Sequence, residues 1–160
     1  FLHLHFHENI YMKKIWIFIV AALSFYACKN NDKKSTEPGL SQEERDKAIK
    51  DTSNFTSIAW PDSTYHDFGK VKEGEVLEVS FRFINTGDKN LIISDVRPGC
   101  GCTDGQKPDE PIAPGKEGVI KAKFNSKGQH IGEAHKNITV TANTKPSQTT
   151  ELTFKAEVTN

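Results

Sequence analysis

Net charge, methionine, cysteine and long hydrophobic runs are all scarce in this chain. Lys plus Arg number 21 and Asp plus Glu number 21, so the formal charge at pH 7 is zero, and no basic stripe stands out along the sequence. That balance removes the electrostatic footprint on which nucleic-acid binding depends, and no nucleic-acid partner is expected. Gly-x-Ser-x-Gly, His-Glu-x-x-His, a P-loop and a dinucleotide fingerprint are likewise missing. Hydrolase, metalloprotease and nucleotide-dependent readings thereby lose their main support. Neither an enzyme activity nor a cofactor is expected. What is present, 36% hydrophobic and 26% charged residues over 160 positions, suits one ordinary globular core.

The one sustained apolar run is Ile15 to Ala27, 13 residues preceded by Met12-Lys13-Lys14 and followed by Cys28. It falls short of the about 20 residues that span a bilayer and has the length of a signal-peptide core, with the two lysines as its positive start. Leu23-Ser24-Phe25-Tyr26-Ala27-Cys28 resembles a bacterial lipobox, in which the cysteine becomes the lipidated N-terminus. Residues 1–27 therefore read as a cleaved signal peptide, with 1–11 as an over-extended gene start. On that reading the alternating His3, His5 and His7 are no metal site, because they precede the cleavage point. Removal of 1–27 takes away Lys13, Lys14 and Glu8 and leaves 19 basic against 20 acidic residues. The expected location is a bacterial cell envelope, periplasmic or outer surface, with the membrane as partner through a lipid on Cys28.

Residues 28–54 read as a lipid-anchored flexible linker. Lys29 to Gly39 is polar and aperiodic. Ser41 to Lys50 has helix-forming composition, but only Ala48 and Ile49 are apolar, too few to give a buried face. From Phe55 the period changes to two. Leu77, Val79, Phe81 and Phe83 alternate with polar neighbours, as do Ile120, Ala122 and Phe124, then Ile138, Val140 and Ala142, and finally Leu152, Phe154, Ala156 and Val158. Phe55–Trp60, Tyr65–Phe68 and Leu91–Val96 are shorter strand candidates. Turn signals at Lys72-Glu73-Gly74, Asn85-Thr86-Gly87-Asp88, Pro114-Gly115 and Asn143–Pro146 divide them. The pattern predicts an all-β, immunoglobulin-like Greek-key sandwich of about seven strands over residues 55–160, with no second domain after it. Widely spaced cysteines that bridge two sheets are absent, so the core must hold by packing, with Phe55, Trp60, Phe68, Phe81, Phe83, Phe124 and Phe154 as its large members.

Six segments carry a family resemblance: Tyr65-His66-Asp67-Phe68-Gly69-Lys70-Val71-Lys72-Glu73-Gly74, Phe81 to Gly87, Leu91 to Pro98, Gly99-Cys100-Gly101-Cys102-Thr103, Ile112-Ala113-Pro114-Gly115 and Phe124-Asn125-Ser126. In this order they resemble the bacterial family DUF1573, over most of residues 60–158. The resemblance implies an immunoglobulin-like fold akin to the ASH and major-sperm-protein sandwiches, which serve mostly as interaction modules, and it implies no activity. The sequence departs from the family pattern after Thr103, where Asp104-Gly105-Gln106 replaces a more apolar stretch.

The one constellation with chemical potential is Gly99-Cys100-Gly101-Cys102-Thr103. Two positions apart, the cysteines' Cα atoms can stand at most roughly 7 Å from each other, at the upper edge of disulfide geometry. Three readings stand open: a structural disulfide or buried thiol pair, a redox-active pair, and a soft-metal site for Cu(I) or Zn(II). The last needs further ligands, for which His66, His130 or His135 are the candidates. His66-Asp67 is a poor acid–base pair, since neighbours on a strand point to opposite faces. The sequence thus supports a non-catalytic, membrane-tethered module that meets a protein or glycan partner; the alternative is a periplasmic redox or metal-handling protein using Cys100 and Cys102.

Overall fold

The alternating segments form two four-stranded sheets in a computed structural model that describes residues 39–160. Chain order is helix α1 (Gln42–Ala48), a 3-10 turn (Thr52–Asn54), then β1 (Ile58–Ala59), β2 (Tyr65–Lys72), β3 (Val76–Asn85), β4 (Ile93–Pro98), β5 (Thr103–Gln106), β6 (Glu117–Asn125), β7 (Gly132–Ala142) and β8 (Thr149–Thr159). One sheet runs β1-β3-β6-β5 and the other β2-β8-β7-β4. Every pairing is antiparallel except β2 with β8. The signal peptide, Cys28 and the first part of the linker lie outside the described residues.

The core lies where the two inner faces meet. Phe83, Phe124, Phe154, Ile120, Ile138 and Leu152 are essentially inaccessible, while the residues between them on β6 and β8 face water or the rim. Phe124 and Phe154 meet across the sheets with ring centroids 5.6 Å apart. Burial of each such side chain contributes about 1.5–3 kcal/mol. Trp60 and Phe68 only flank this core, and Phe55 is half-buried outside it. These three differ from the expectation because they belong to short or edge segments, which have a sheet on one side only.

One end of the sandwich is tied by two fully buried asparagines. Asn85 Nδ2 donates to the carbonyls of Lys89 and Ile112 at 2.7 and 2.8 Å, while its Oδ1 accepts from Thr56 Oγ1 at 2.8 Å. Asn143 Nδ2 donates to Asn54 O and Asn90 O, and its Oδ1 accepts from Ile92 N. Both had the look of turn residues; their carboxamides instead satisfy backbone groups that the converging loops would leave orphaned.

Two further expectations are corrected. Residues 39–54 are not a free linker, for Leu40 N donates to Asp109 O and the Ile49 carbonyl accepts from the Gln148 side chain, which tie the segment to the sandwich. α1 is started by a capping box between Ser41 and Glu44 and is seated by a charged residue in place of an apolar face. Arg45, 3% exposed, donates to Leu40 O, Ile93 O and Asp109 O at 3.1, 2.6 and 2.5 Å. Gln42 Nε2 and Lys107 Nζ both reach Ser94 O. Carbonyls on the β4 edge thus receive side-chain donors, and the edge is covered. Burial, followed by the Arg45 charge, holds the Lys107 ammonium below the usual lysine range.

The second correction is β5, an eighth strand beyond the about seven that the alternation predicts. Thr-Asp-Gly-Gln shows no hydrophobic alternation, yet it pairs with β6 from Thr103–Phe124 to Gln106–Lys121. Gly105 is needed there: a Cβ would lie 2.5 Å from Val96 Cγ1, so only glycine lets the β4 and β5 edges approach.

Candidate functional site

Between β4 and β5 the chain leaves one sheet and enters the other through Gly99-Cys100-Gly101-Cys102. The peptide N–H of Thr103 donates to Cys100 O at 3.3 Å, closing a tight turn, and Asn125 N donates to Cys102 O at 3.0 Å, fastening that turn to the end of β6. Cys100 and Cys102 are joined by a disulfide, their Cα atoms 5.3 Å apart. Both residues are half-buried. Cys102 packs against the core, and Thr103 Oγ1 lies 3.6 Å from Cys100 Sγ. The bridge therefore braces the crossover between the sheets.

The sulfurs being bonded to each other, they are not the thiolates that a soft-metal site requires. The histidines are also elsewhere. β2, which carries His66, and β4, which leads into the cysteines, are opposite edges of one sheet. The His66 ring stacks edge-on against Phe68. His130 lies exposed between β6 and β7, and His135 Nε2 is 3.4 Å from Glu133 Oε2. Among the described residues no group of three His, Cys, Asp or Glu is placed to hold a metal ion.

Beside the turn, on the outer face of the β2-β8-β7-β4 sheet, lies a shallow open trough of about 330 Å³. Register makes it. Tyr65 and Asn137 both stand opposite Thr153, so the three form one row across β2, β8 and β7. The short Thr153 side chain is the floor between taller walls. Tyr65, 47% exposed, is one wall; Asn137, Glu151 and His135 are the other. Asn137 Nδ2 donates to Glu151 Oε1 at 2.7 Å.

The cysteine turn holds that wall in place. Gly99 N donates to Asn137 O at 2.9 Å, and a Cβ on Gly99 would come within 2.1 Å of Asn137 Oδ1. Asn137 thus lies against a bare backbone on one side and a carboxylate on the other. The next row is ionic. Lys155 Nζ sits 3.3 Å from Asp67 Oδ2 and 3.6 Å from Glu133 Oε1. The Gly69 N–H, more than Lys155, holds the Asp67 carboxyl below its ordinary range, and Asp67 in turn holds the Lys155 ammonium above its own. Sequence reasoning missed Tyr65, Asn137, Glu151 and Thr153 as a group. Alternation tells which of them face outward, but cross-strand register is needed to place them together.

The sandwich and its braced crossover define an all-β domain of immunoglobulin-like fold. The chain belongs to DUF1573, described as a protein of unknown function, whose family model matches residues 59–158. A protein of unknown function from Porphyromonas gingivalis W83 is similar in structure, with TM-score 0.59 and 18% identity over 67% of this chain and 49% of that one. The chain thus spans about half the length of that protein. The periplasmic chaperone SfaE (TM-score 0.48, 14% identity, 65% of this chain and 59% of that one) and PapD-like domain 7, an ASH domain, of human CEP192 (0.44, 13%, 69% and 87%) are also matched. At these identities the likeness is one of fold. No curated protein matches the sequence.

Proposed function

We propose that this protein is a non-catalytic binding module of the bacterial cell envelope, held to a membrane through a lipid on Cys28, with its sandwich free to meet a partner. The observation that carries the reading is the Cys100–Cys102 disulfide. Disulfides persist in oxidising, exported compartments and are rare in the cytosol, in keeping with the signal-peptide pattern that ends at Cys28. The bridge is spent on shape: it fastens a crossover whose Gly99 fixes Asn137 on an outward face. The test is metabolic labelling with an alkyne fatty acid. Labelled protein should appear in the membrane fraction, and Cys28→Ala should abolish the label and release the chain to a soluble fraction. An unlabelled wild-type chain would refute the anchor.

A second reading, disulfide exchange with an external dithiol, draws support from the half-exposure of Cys100. It requires the Cys100–Cys102 bond to be reduced as an equivalent of dithiol is oxidised. Retention of biological function by the Cys100→Ser/Cys102→Ser double variant would eliminate it.

A further inference from the structure

The side chains of Tyr65, Thr153, Asn137 and Glu151 in the trough stand outside the hydrophobic core, and their chemistry is specific. One wall is an exposed phenol ring, Tyr65. The other is a planar amide and a carboxylate, already paired at 2.7 Å. Pairing uses one Asn137 N–H and one Glu151 oxygen, leaving a second amide hydrogen as donor and a second carboxylate oxygen as acceptor. The Thr153 hydroxyl adds a donor and acceptor on the floor.

Charge around the trough leans negative: Glu151, Glu133 and Asp67 stand against Lys155 and Lys136, with His135 at the rim. A phosphate, a nucleic acid or an acidic peptide would meet a field of its own sign. Tyr65 is the one large exposed ring among the lining residues, which does not suit an amphipathic helix with its row of apolar anchors. A ligand matched to this set has a flat C–H face for the ring and neighbouring hydroxyls for the amide and carboxylate. That ligand is a neutral saccharide.

We propose that Tyr65, Thr153, Asn137 and Glu151 form a binding site for a neutral oligosaccharide, with the ring of Tyr65 stacking on one sugar face and the Asn137–Glu151 pair bonding vicinal hydroxyls. The inference rests on the binding-module reading and gives that module a ligand class. Asn137 and Glu151 are ligand contacts; Gly99 is a positioning residue, because it keeps the Asn137 carboxamide in the orientation that Glu151 also fixes. The site lies across three strands, β2, β8 and β7, and so sits on the rigid part of the fold.

The test uses the full-length chain in a detergent that carries no sugar headgroup. It is applied to an array of short neutral oligosaccharides of glucose, galactose, mannose and N-acetylglucosamine, in parallel with a peptide array, followed by titration with the best sugar. The expected result is binding to at least one sugar series, weakened at least about tenfold, or about 1.4 kcal/mol, by Tyr65→Ala and by Asn137→Ala. Tyr65→Phe should keep most of it, and Arg82→Ala, on the other sheet, should change nothing. Tyr65 is surface-exposed, so its variants keep the fold, and a circular dichroism spectrum verifies that. Sugar binding that is indifferent to Tyr65 and Asn137 would overturn the site while leaving the binding module standing. Binding to peptides alone, weakened by Tyr65→Ala, would overturn the ligand class and likewise leave the module standing. Binding to neither array overturns the inference, and the fatty-acid labelling tests the anchor independently.

Discussion

Replacing Arg45 with Ala tests the least expected feature of this fold, a buried cation that docks a seven-residue helix onto an open strand edge. All three acceptors of its guanidinium are backbone carbonyls, those of Leu40, Ile93 and Asp109. A hydrogen bond to a charged group contributes about 1.5–3 kcal/mol, so three would sum to roughly 5–9. Two effects offset that sum. Burying a guanidinium with no carboxylate against it costs several kcal/mol, and once the helix lifts, water reaches the abandoned carbonyls. The net loss is then the docking free energy of residues 39–54, roughly 2–3 kcal/mol by this balance. With about 4 °C per kcal/mol for a domain of this size, the melting temperature falls by roughly 8–12 °C. Hydrogen exchange gives the sharper readout. The amides of Arg45, Ile49, Lys50 and Asp51, which bond within this segment, should lose protection while those of β3 and β6 keep theirs. Arg45→Lys should rescue little, because one ammonium cannot reproduce a fork that spans three carbonyls. An unchanged melting temperature with α1 still protected would show that the helix is held by something other than Arg45.

Two further outcomes follow from the structure. The carboxyls of Asp51, Asp62, Asp67 and Glu78 are held below their ordinary values of 3.8 and 4.5, chiefly by the Ser53 hydroxyl, Arg82, the Gly69 N–H and Lys123 respectively. The unfolded chain takes up those protons first as pH falls, so their stabilisation is complete above the unfolded values and is lost below them. The melting temperature should be level from neutral pH to about pH 5 and then decline as pH drops through and below 4; a decline already under way near neutrality would point to other groups. Cys100→Ser/Cys102→Ser removes a three-residue closure worth about 1–2 kcal/mol by chain entropy. The sandwich should persist with a modestly lower melting temperature, and the Asn137 side-chain amide signal should broaden as its Gly99 support loosens. A double variant that does not fold would mean that the bridge, and not core packing, holds the sheets together.

The strands were readable because half-burial writes itself into sequence as a period of two. β3, β6, β7 and β8 follow their alternating residues closely, and their partners at the centre of each sheet leave one face to the core and one to water. β5 was not readable. Its residues are polar and its decisive member, Gly105, matters through the side chain it lacks, which is visible only once Val96 is opposite. α1 failed for a related reason. Helix amphipathicity anticipates apolar docking, whereas α1 docks by donating hydrogen bonds to a strand edge 48 residues away in sequence. No local pattern encodes the carbonyls that wait there.

For the site, the sequence supplied the cysteines and their neighbouring glycines, at a spacing that left a disulfide, a redox pair and a soft-metal site all open. It could not say that Gly99 would lie against Asn137, or that Tyr65, Thr153 and Asn137 would share a row. By itself the sequence determined the period of the strands, the neutral charge and the spacing of Cys100 and Cys102, all of them properties of neighbours along the chain. Only the tertiary structure decided register, edge covering and the trough, because each depends on which distant backbone ends up one strand spacing away.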